Sequence, residues 1–292
     1  AAGFASTETF RRTAFLVGPV LAAVLIGLRA EFTASFRFVL AVAVGFGVLG
    51  TLVQHLLYDA SGDSFGDSFA GLDRVRRDLR EMPAPLRPLL VGDTLVRFAN
   101  GMVYVFFVLV VTRFFQVGLD TTVALGGFAY GVDLSPQAFF GYLLGVEMLV
   151  ALSIMVPASK LAERVGLKPV VAVGFAVYAV FPVVLIYAPA LAGPALPLWA
   201  VMVAVFAFSG LRFAGLPSHK ALIVGPAERG AGGRVTGTYY LLRNTAVIPS
   251  AAVGGYLWEF VSPEVAFTVA AVIGVAGTGY FLAFGKEFEA YA

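Results

Sequence analysis

Apolar runs of about twenty residues, the length that carries a helix across a hydrocarbon core, recur along the chain between breaks of Gly, Pro or charge. Eight of them predict membrane-spanning helices, over 13–30, 37–57, 89–112, 137–158, 169–188, 197–217, 236–257 and 264–284. Breaks such as Arg29-Ala30-Glu31, Pro189 and Ser262-Pro263-Glu264 mark the edges. Helices are the expected form because no water is present in lipid to satisfy open backbone groups. Alternating segments of about ten residues, the sign of a barrel, do not occur. The pattern therefore gives an all-α polytopic membrane protein.

Composition agrees. Of 292 residues 59% are hydrophobic and 13% charged, against about a quarter charged in soluble domains, and mean hydropathy is +0.88. The net charge of +2 is too small, and its basic residues too dispersed, to suggest nucleic acid. With no cysteine, disulfides, thiolate metal sites and cysteine nucleophiles are excluded. No His/Asp/Glu cluster has metal-ligand spacing and no Walker loop is present, so neither a cofactor nor a resident metal is expected. The opening AAGFASTETF has neither Met nor a basic-then-apolar leader, and reads as the cut edge of a longer protein.

Loop charge sets orientation. Arg11, Arg12, Arg74, Arg76, Arg77, Arg80, Arg87, Lys160, Arg164, Lys168, Lys220, Arg229, Arg234 and Lys286 fall on one side, 14 in all, against 3 on the other, Arg29, Arg37 and Arg113. The basic side is expected to be cytoplasmic, with both termini there and the chain in an inner or plasma membrane. The longest connection, 58–88, is Gly/Ser/Asp-rich at first. It then reads as a short interfacial helix over 71–81, stopped by Pro83, Pro85 and Pro88. It divides the chain into 1–57 with two spans, a central cytoplasmic linker, and 89–292 with six. A short repeat supports the division: Arg12-Thr13-Ala14-Phe15-Leu16-Val17-Gly18-Pro19 is echoed by Arg243-Asn244-Thr245-Ala246-Val247-Ile248-Pro249. The two run on into Ala22-Ala23 and Gly254-Gly255. Internal repeats are a common transporter construction. Gly18-Pro19 and Pro249-Ser250 should bend or close-pack their helices.

Candidate chemistry sits inside the spans. Asp93, Arg97, Asn100 and Tyr104 form one stripe of the third span. Arg97 is near mid-depth, roughly 15 Å from Arg87 at 1.5 Å per residue. Glu147 lies at similar depth among apolar neighbours. Arg243 and Asn244, with Tyr239 and Tyr240 a turn earlier, lie well inside the seventh span, and Arg212 is nearer the end of the sixth. A charge facing lipid at mid-depth costs about 2.5–3.5 kcal/mol on the insertion scale, so these groups should face the bundle interior. Two readings stay open. In one, Arg97 and Arg243 hold an anionic substrate or relay protons and Glu147 is the coupling acid. In the other, Asp93–Arg97 and Glu147–Arg243 or Glu147–Arg212 are interhelical pairs that fix packing and close a gate. His55 and His219, at span ends, are expected at the interface.

Ser159-Lys160-Leu161-Ala162-Glu163-Arg164-Val165-Gly166-Leu167-Lys168 resembles the loop motif of the major facilitator superfamily, with Ser159, Glu163 and Leu167 in place of its Gly, Asp and first closing basic residue. Gly18-Pro19-Val20-Leu21-Ala22-Ala23 resembles the family's fifth-helix Gly-Pro motif, and Arg212-Phe213-Ala214-Gly215 its helix-ten arginine motif. The resemblance implies helices 5–12 of a twelve-helix member, with helices 1–4 absent from this chain. It implies that Glu163, with Arg164, Gly166 and Lys168, latches the positive N-terminal end of the helix starting near Arg11–Arg12. It also implies secondary transport by alternating access, without enzymatic activity. The favoured function is proton-coupled efflux of a small anionic or amphipathic molecule, the Gly-Pro motif leaning towards export. Proton-coupled uptake of an anionic metabolite is the alternative, and a non-transporting scaffold or sensor of the same fold is the alternative of another class.

Overall fold

The structure, a computed structural model, describes residues 2–28, 31–59, 61, 77, 80, 82–125, 128–226 and 232–287. Among these, seven continuous helices are long and apolar enough to cross a membrane. The first two are α1 (Ala2–Gly27) and α2 (Phe32–Leu57). The third span runs over Leu86–Phe114; α3 (Leu86–Val103) is its regular part, and a 3-10 turn and a π turn complete it. Next come α4 (Pro136–Val165) and α5 (Leu167–Ala192). The sixth span is α6 (Leu198–Gly210) and α7 (Leu216–Val224), joined by a 3-10 turn at Leu211–Phe213. The expected seventh span is broken into α8 (Gly232–Val247) and α9 (Ser250–Phe260). The break falls at Ile248-Pro249, where proline has no N–H to continue the ladder. The chain closes on α10 (Pro263–Phe284), whose start is capped as its Ser-Pro-Glu sequence implies: the Ser262 hydroxyl accepts from Val265 N at 3.1 Å.

Hydropathy did not reveal a hairpin. Between the third span and α4, β1 (Leu119–Leu125) pairs antiparallel with β2 (Phe128–Leu134), Leu119 opposite Leu134 and Thr122 opposite Gly131. The β-branched run Thr121-Thr122-Val123 and the Gly126-Gly127 dipeptide are its sequence signal. The interfacial helix expected over 71–81 lies largely outside the described residues. Pro88, expected as a stop, sits instead in the first turn of α3, where the missing N–H costs nothing.

Packing rests on small residues that let backbones approach. Gly141 and Gly145 of α4 face α1; a Cβ at the first would lie 2.8 Å from Pro19 O and from Ala23 Cβ, and at the second 2.6 Å from Val20 Cγ2. Gly92 and Gly277 do the same between α3 and α10. Gly18, expected to provide close packing, has nothing within 4 Å of its would-be Cβ; Pro19 makes the approach through its carbonyl, within an unbroken α1. By contrast, a Cβ at Gly254 would overlap the Met102 carbonyl where α9 meets α3. Gly254→Ala should therefore lower stability by about 1–3 kcal/mol. Gly18→Ala should stay within about 0.5 kcal/mol. Thermal unfolding of the two variants in detergent checks the contrast.

Two apolar clusters form the interior. One gathers Leu86, Met155, Leu222 and Phe281, the other Phe107, Phe181, Phe206 and Phe267. The ionic residues of the third span fall between them: Asp93 and Arg97 flank Val96 of the first cluster and precede Ala99 and Met102 of the second. On the flank, α2 packs on α1 and has Ser35 as its one buried residue.

Candidate functional site

Asp93 is the centre of the buried polar network. It is 0% exposed. Its Oδ1 accepts from Arg97 Nε at 3.2 Å, one turn along α3. Its Oδ2 accepts from the Tyr239 hydroxyl at 3.0 Å and from Arg243 Nη1 at 3.1 Å, both on α8. His219 Nε2 on α7 lies 3.0 Å from the same oxygen, without hydrogen-bond alignment. His219 is thus not interfacial, as its position near a span end implied, but 3% exposed and packed against Phe175 and Tyr239. The reason is the turn at Leu211–Phe213, after which α7 carries the chain onward to Val224 with His219 on its inner face. His55 is exposed, near the end of α2.

Glu147 and Arg212 form a second ion pair. Arg212 Nη2 lies 2.7 Å from Glu147 Oε1, which also accepts from the Ser209 hydroxyl. Glu147 is 2% and Arg212 4% exposed. Of the two alternatives for Glu147, the structure has Arg212; Arg243 is taken by Asp93 and by Asn244, whose Oδ1 accepts from its Nε and Nη2 at 3.2 and 2.9 Å. Tyr178 of α5 joins the two networks. Its hydroxyl accepts from Arg97 Nη1 at 3.0 Å, and the guanidinium carbons of Arg97 and Arg212 lie 4.7 and 5.1 Å from its ring centre.

Beside Tyr178 opens a cavity of about 240 Å³, walled by α1, the third span, α4, α5 and the turn after α6. Its polar lining includes Arg12, Asn100, Tyr104, Glu147, Tyr178 and Arg212. The stripe expected on the third span is therefore split: Asn100 and Tyr104 reach this cavity, whereas Asp93 and Arg97 turn to the buried network. Arg97 lines a separate void of about 10 Å³ with Tyr178, Arg212 and His219. Arg243 and Asn244 do not line the cavity, and Asn244 is exposed.

Two groups escaped sequence reasoning. Glu8, 1% exposed, meets Lys220 of α7 at 2.5 Å and stands 3.7 Å from both Arg11 and Arg12. It precedes the apolar window that defined the first span, although its spacing to Arg11 and Arg12 is that of a helical pair. Glu287 accepts from Leu167 N and Lys168 N, each at 2.8 Å, and so caps the start of α5. Gly166, at φ 95°, leaves room for it; a Cβ there would lie 2.6 Å from the Glu287 carboxylate. The latch assigned to Glu163 is not made. Glu163 is exposed, without a hydrogen bond or ion pair among the described residues. The helix end it was to cap is not near Arg11–Arg12, because α1 begins at Ala2. Arg164 is likewise exposed. Glu287→Ala should cost about 0.5–2 kcal/mol, the range of a lost N-cap, whereas Glu163→Ala should be silent; unfolding midpoints compare them.

No family model matches the chain, and no curated protein does. Solved structures that share its fold include two transporters. One is a POT family transporter in complex with 5-aminolevulinic acid, with a TM-score of 0.54 at 11% identity, covering 88% of this chain and 55% of that one. The other is a POT family transporter in complex with a thioalcohol-conjugated peptide, with a TM-score of 0.50 at 12% identity and the same coverage. The chain thus spans about 55% of the length of these neighbours. Together with the apolar helices, this likeness makes the chain a multi-pass helical membrane protein with the fold of the major facilitator superfamily, and its structural neighbours are transporters.

Proposed function

We propose that the protein is a secondary active transporter working by alternating access, coupling proton movement to the efflux of a small anionic or amphipathic molecule. The observation that carries this reading is the cavity beside Tyr178, where a buried acid and two arginines from different helices line one space. Buried ionisable groups within a membrane bundle mark substrate and proton pathways. In this reading residues 1–57 close one six-helix bundle, 58–88 link it in the cytoplasm, and 89–292 form the second bundle. The exposed flanks of α1 and α2 are then the seat of the remaining helices of the first. The basic loops face the cytoplasm of an inner or plasma membrane. Uptake of an anionic metabolite through the same cavity is the second reading, favoured by its surplus of arginine over acid.

The chain has no cysteine, so single cysteines at Glu163 and Tyr256 report the two ends of the bundle without background. Under an imposed proton gradient in proteoliposomes, their labelling rates should change in opposite directions. Static rates at both positions would mean a scaffold and refute transport. With an inward proton gradient, efflux predicts outward movement of substrate and uptake predicts inward accumulation.

A further inference from the structure

The arginines singled out from sequence as anion binders, Arg97 and Arg243, are engaged with the Asp93 carboxylate. Those that line the cavity are Arg212, read from sequence as structural, and Arg12, which sequence did not mark as a ligand group. Their hydrogen bonding is incomplete. Arg212 gives Nη2 to Glu147, but its Nε and Nη1 are buried with no partner among the described residues. Arg12 Nε is also buried without a hydrogen bond, its approach to Glu8 being loose at 3.7 Å, and its Nη1 reaches only the Met148 sulfur at 4.0 Å. A buried cationic donor left unpaired is costly, and a ligand acceptor would relieve it. The charge inventory has the same sign: of the residues lining the cavity, Arg12 and Arg212 face one acid, Glu147, and Glu8 beside Arg12 is shared with Arg11 and Lys220, so a ligand bearing one negative charge suits the site.

The rest of the wall fixes the body of such a ligand. The aromatic residues Phe15, Tyr104, Tyr178 and Phe213 line the same space. Arg12 stacks on two of these rings, its guanidinium carbon 4.2 Å from the centre of Phe213 and 5.4 Å from that of Phe15. Flat apolar groups pack well on aromatic walls, with polar atoms fixing orientation. We propose that this cavity is a recognition site for aromatic monocarboxylates, with the carboxylate held by Arg12 and Arg212 and the ring seated among Phe15, Tyr104, Tyr178 and Phe213. The purpose of binding rests on the transporter reading; the binding itself does not.

The test is equilibrium binding of benzoate and phenylacetate to the purified protein in nanodiscs of zwitterionic lipid, with benzamide as the uncharged match. Both carboxylates should bind saturably, and benzamide should bind at least about tenfold more weakly, the worth of one charge-assisted hydrogen bond. Arg12→Gln should weaken benzoate by about tenfold without lowering the unfolding midpoint. Arg212→Lys, which retains a partner for Glu147, should weaken it also. Should Arg212→Lys fail to fold, Arg12→Gln decides. Absence of saturable benzoate binding, equal affinity for benzamide, or an unchanged affinity in Arg12→Gln overturns the proposal. Selective benzoate binding with static cysteine accessibility would sink transport and leave this site standing; alternating accessibility with no benzoate binding would do the reverse.

Discussion

Asp93→Ala is expected to destabilise the protein by about 3–5 kcal/mol, the cost of removing one partner from a buried ionic network. The carboxylate holds together three helices: Arg97 on α3, His219 on α7, and Tyr239 with Arg243 on α8. Truncation takes the acceptor from Arg97 Nε, Arg243 Nη1 and the Tyr239 hydroxyl, and each donor left unmet carries its own desolvation penalty. Asp93→Asn should be milder, since an amide oxygen still accepts one or two of these bonds while the charge is lost. Asp93→Ala/Arg243→Met, which removes one stranded cation as well, should recover part of the loss if the penalty is electrostatic. Denaturation curves of the three variants separate the contributions. A loss below about 0.5 kcal/mol for Asp93→Ala, the range of an ordinary surface change, would show that the network does not hold the helices.

The spans were legible because lipid imposes a length and a polarity on every crossing, and edges such as Ser262-Pro263 coincide with a real cap. At Pro249-Ser250 the sequence led to a bend or close packing within one span over 236–257, whereas the helix breaks there outright. What sequence could not supply was which interior charge meets which. Periodicity places Asp93, Arg97, Asn100 and Tyr104 on one face, but helix crossing decides that the first two are enclosed and the last two open to a cavity. Glu8 and His219 escaped because both lie beyond the apolar windows, where helices continue after hydropathy has ended. The cap on α5 comes from Glu287, a residue 120 positions from its partner Leu167. No local pattern carries a contact of that range.

Glu147→Gln is expected to abolish proton-driven accumulation of substrate in proteoliposomes while substrate exchange persists. Glutamine keeps an oxygen for Arg212 Nη2 and the Ser209 hydroxyl, the two groups that Glu147 Oε1 serves, so the local packing has a replacement. What it cannot do is take up or release a proton, and in the proposed cycle that is the step tying the gradient to movement. The substitution also leaves Arg212 without its counter-charge, so the cavity gains a net positive charge and benzoate affinity should rise rather than fall. Glu147→Ala lacks the acceptor and should lose about 3–5 kcal/mol of stability, as one partner of a buried pair. Proton-driven accumulation by Glu147→Gln at the wild-type level would remove Glu147 from the coupling role. If accumulation is lost but benzoate binds no tighter, the acid does not share its charge with the anion site, and the two functions proposed for this cavity come apart.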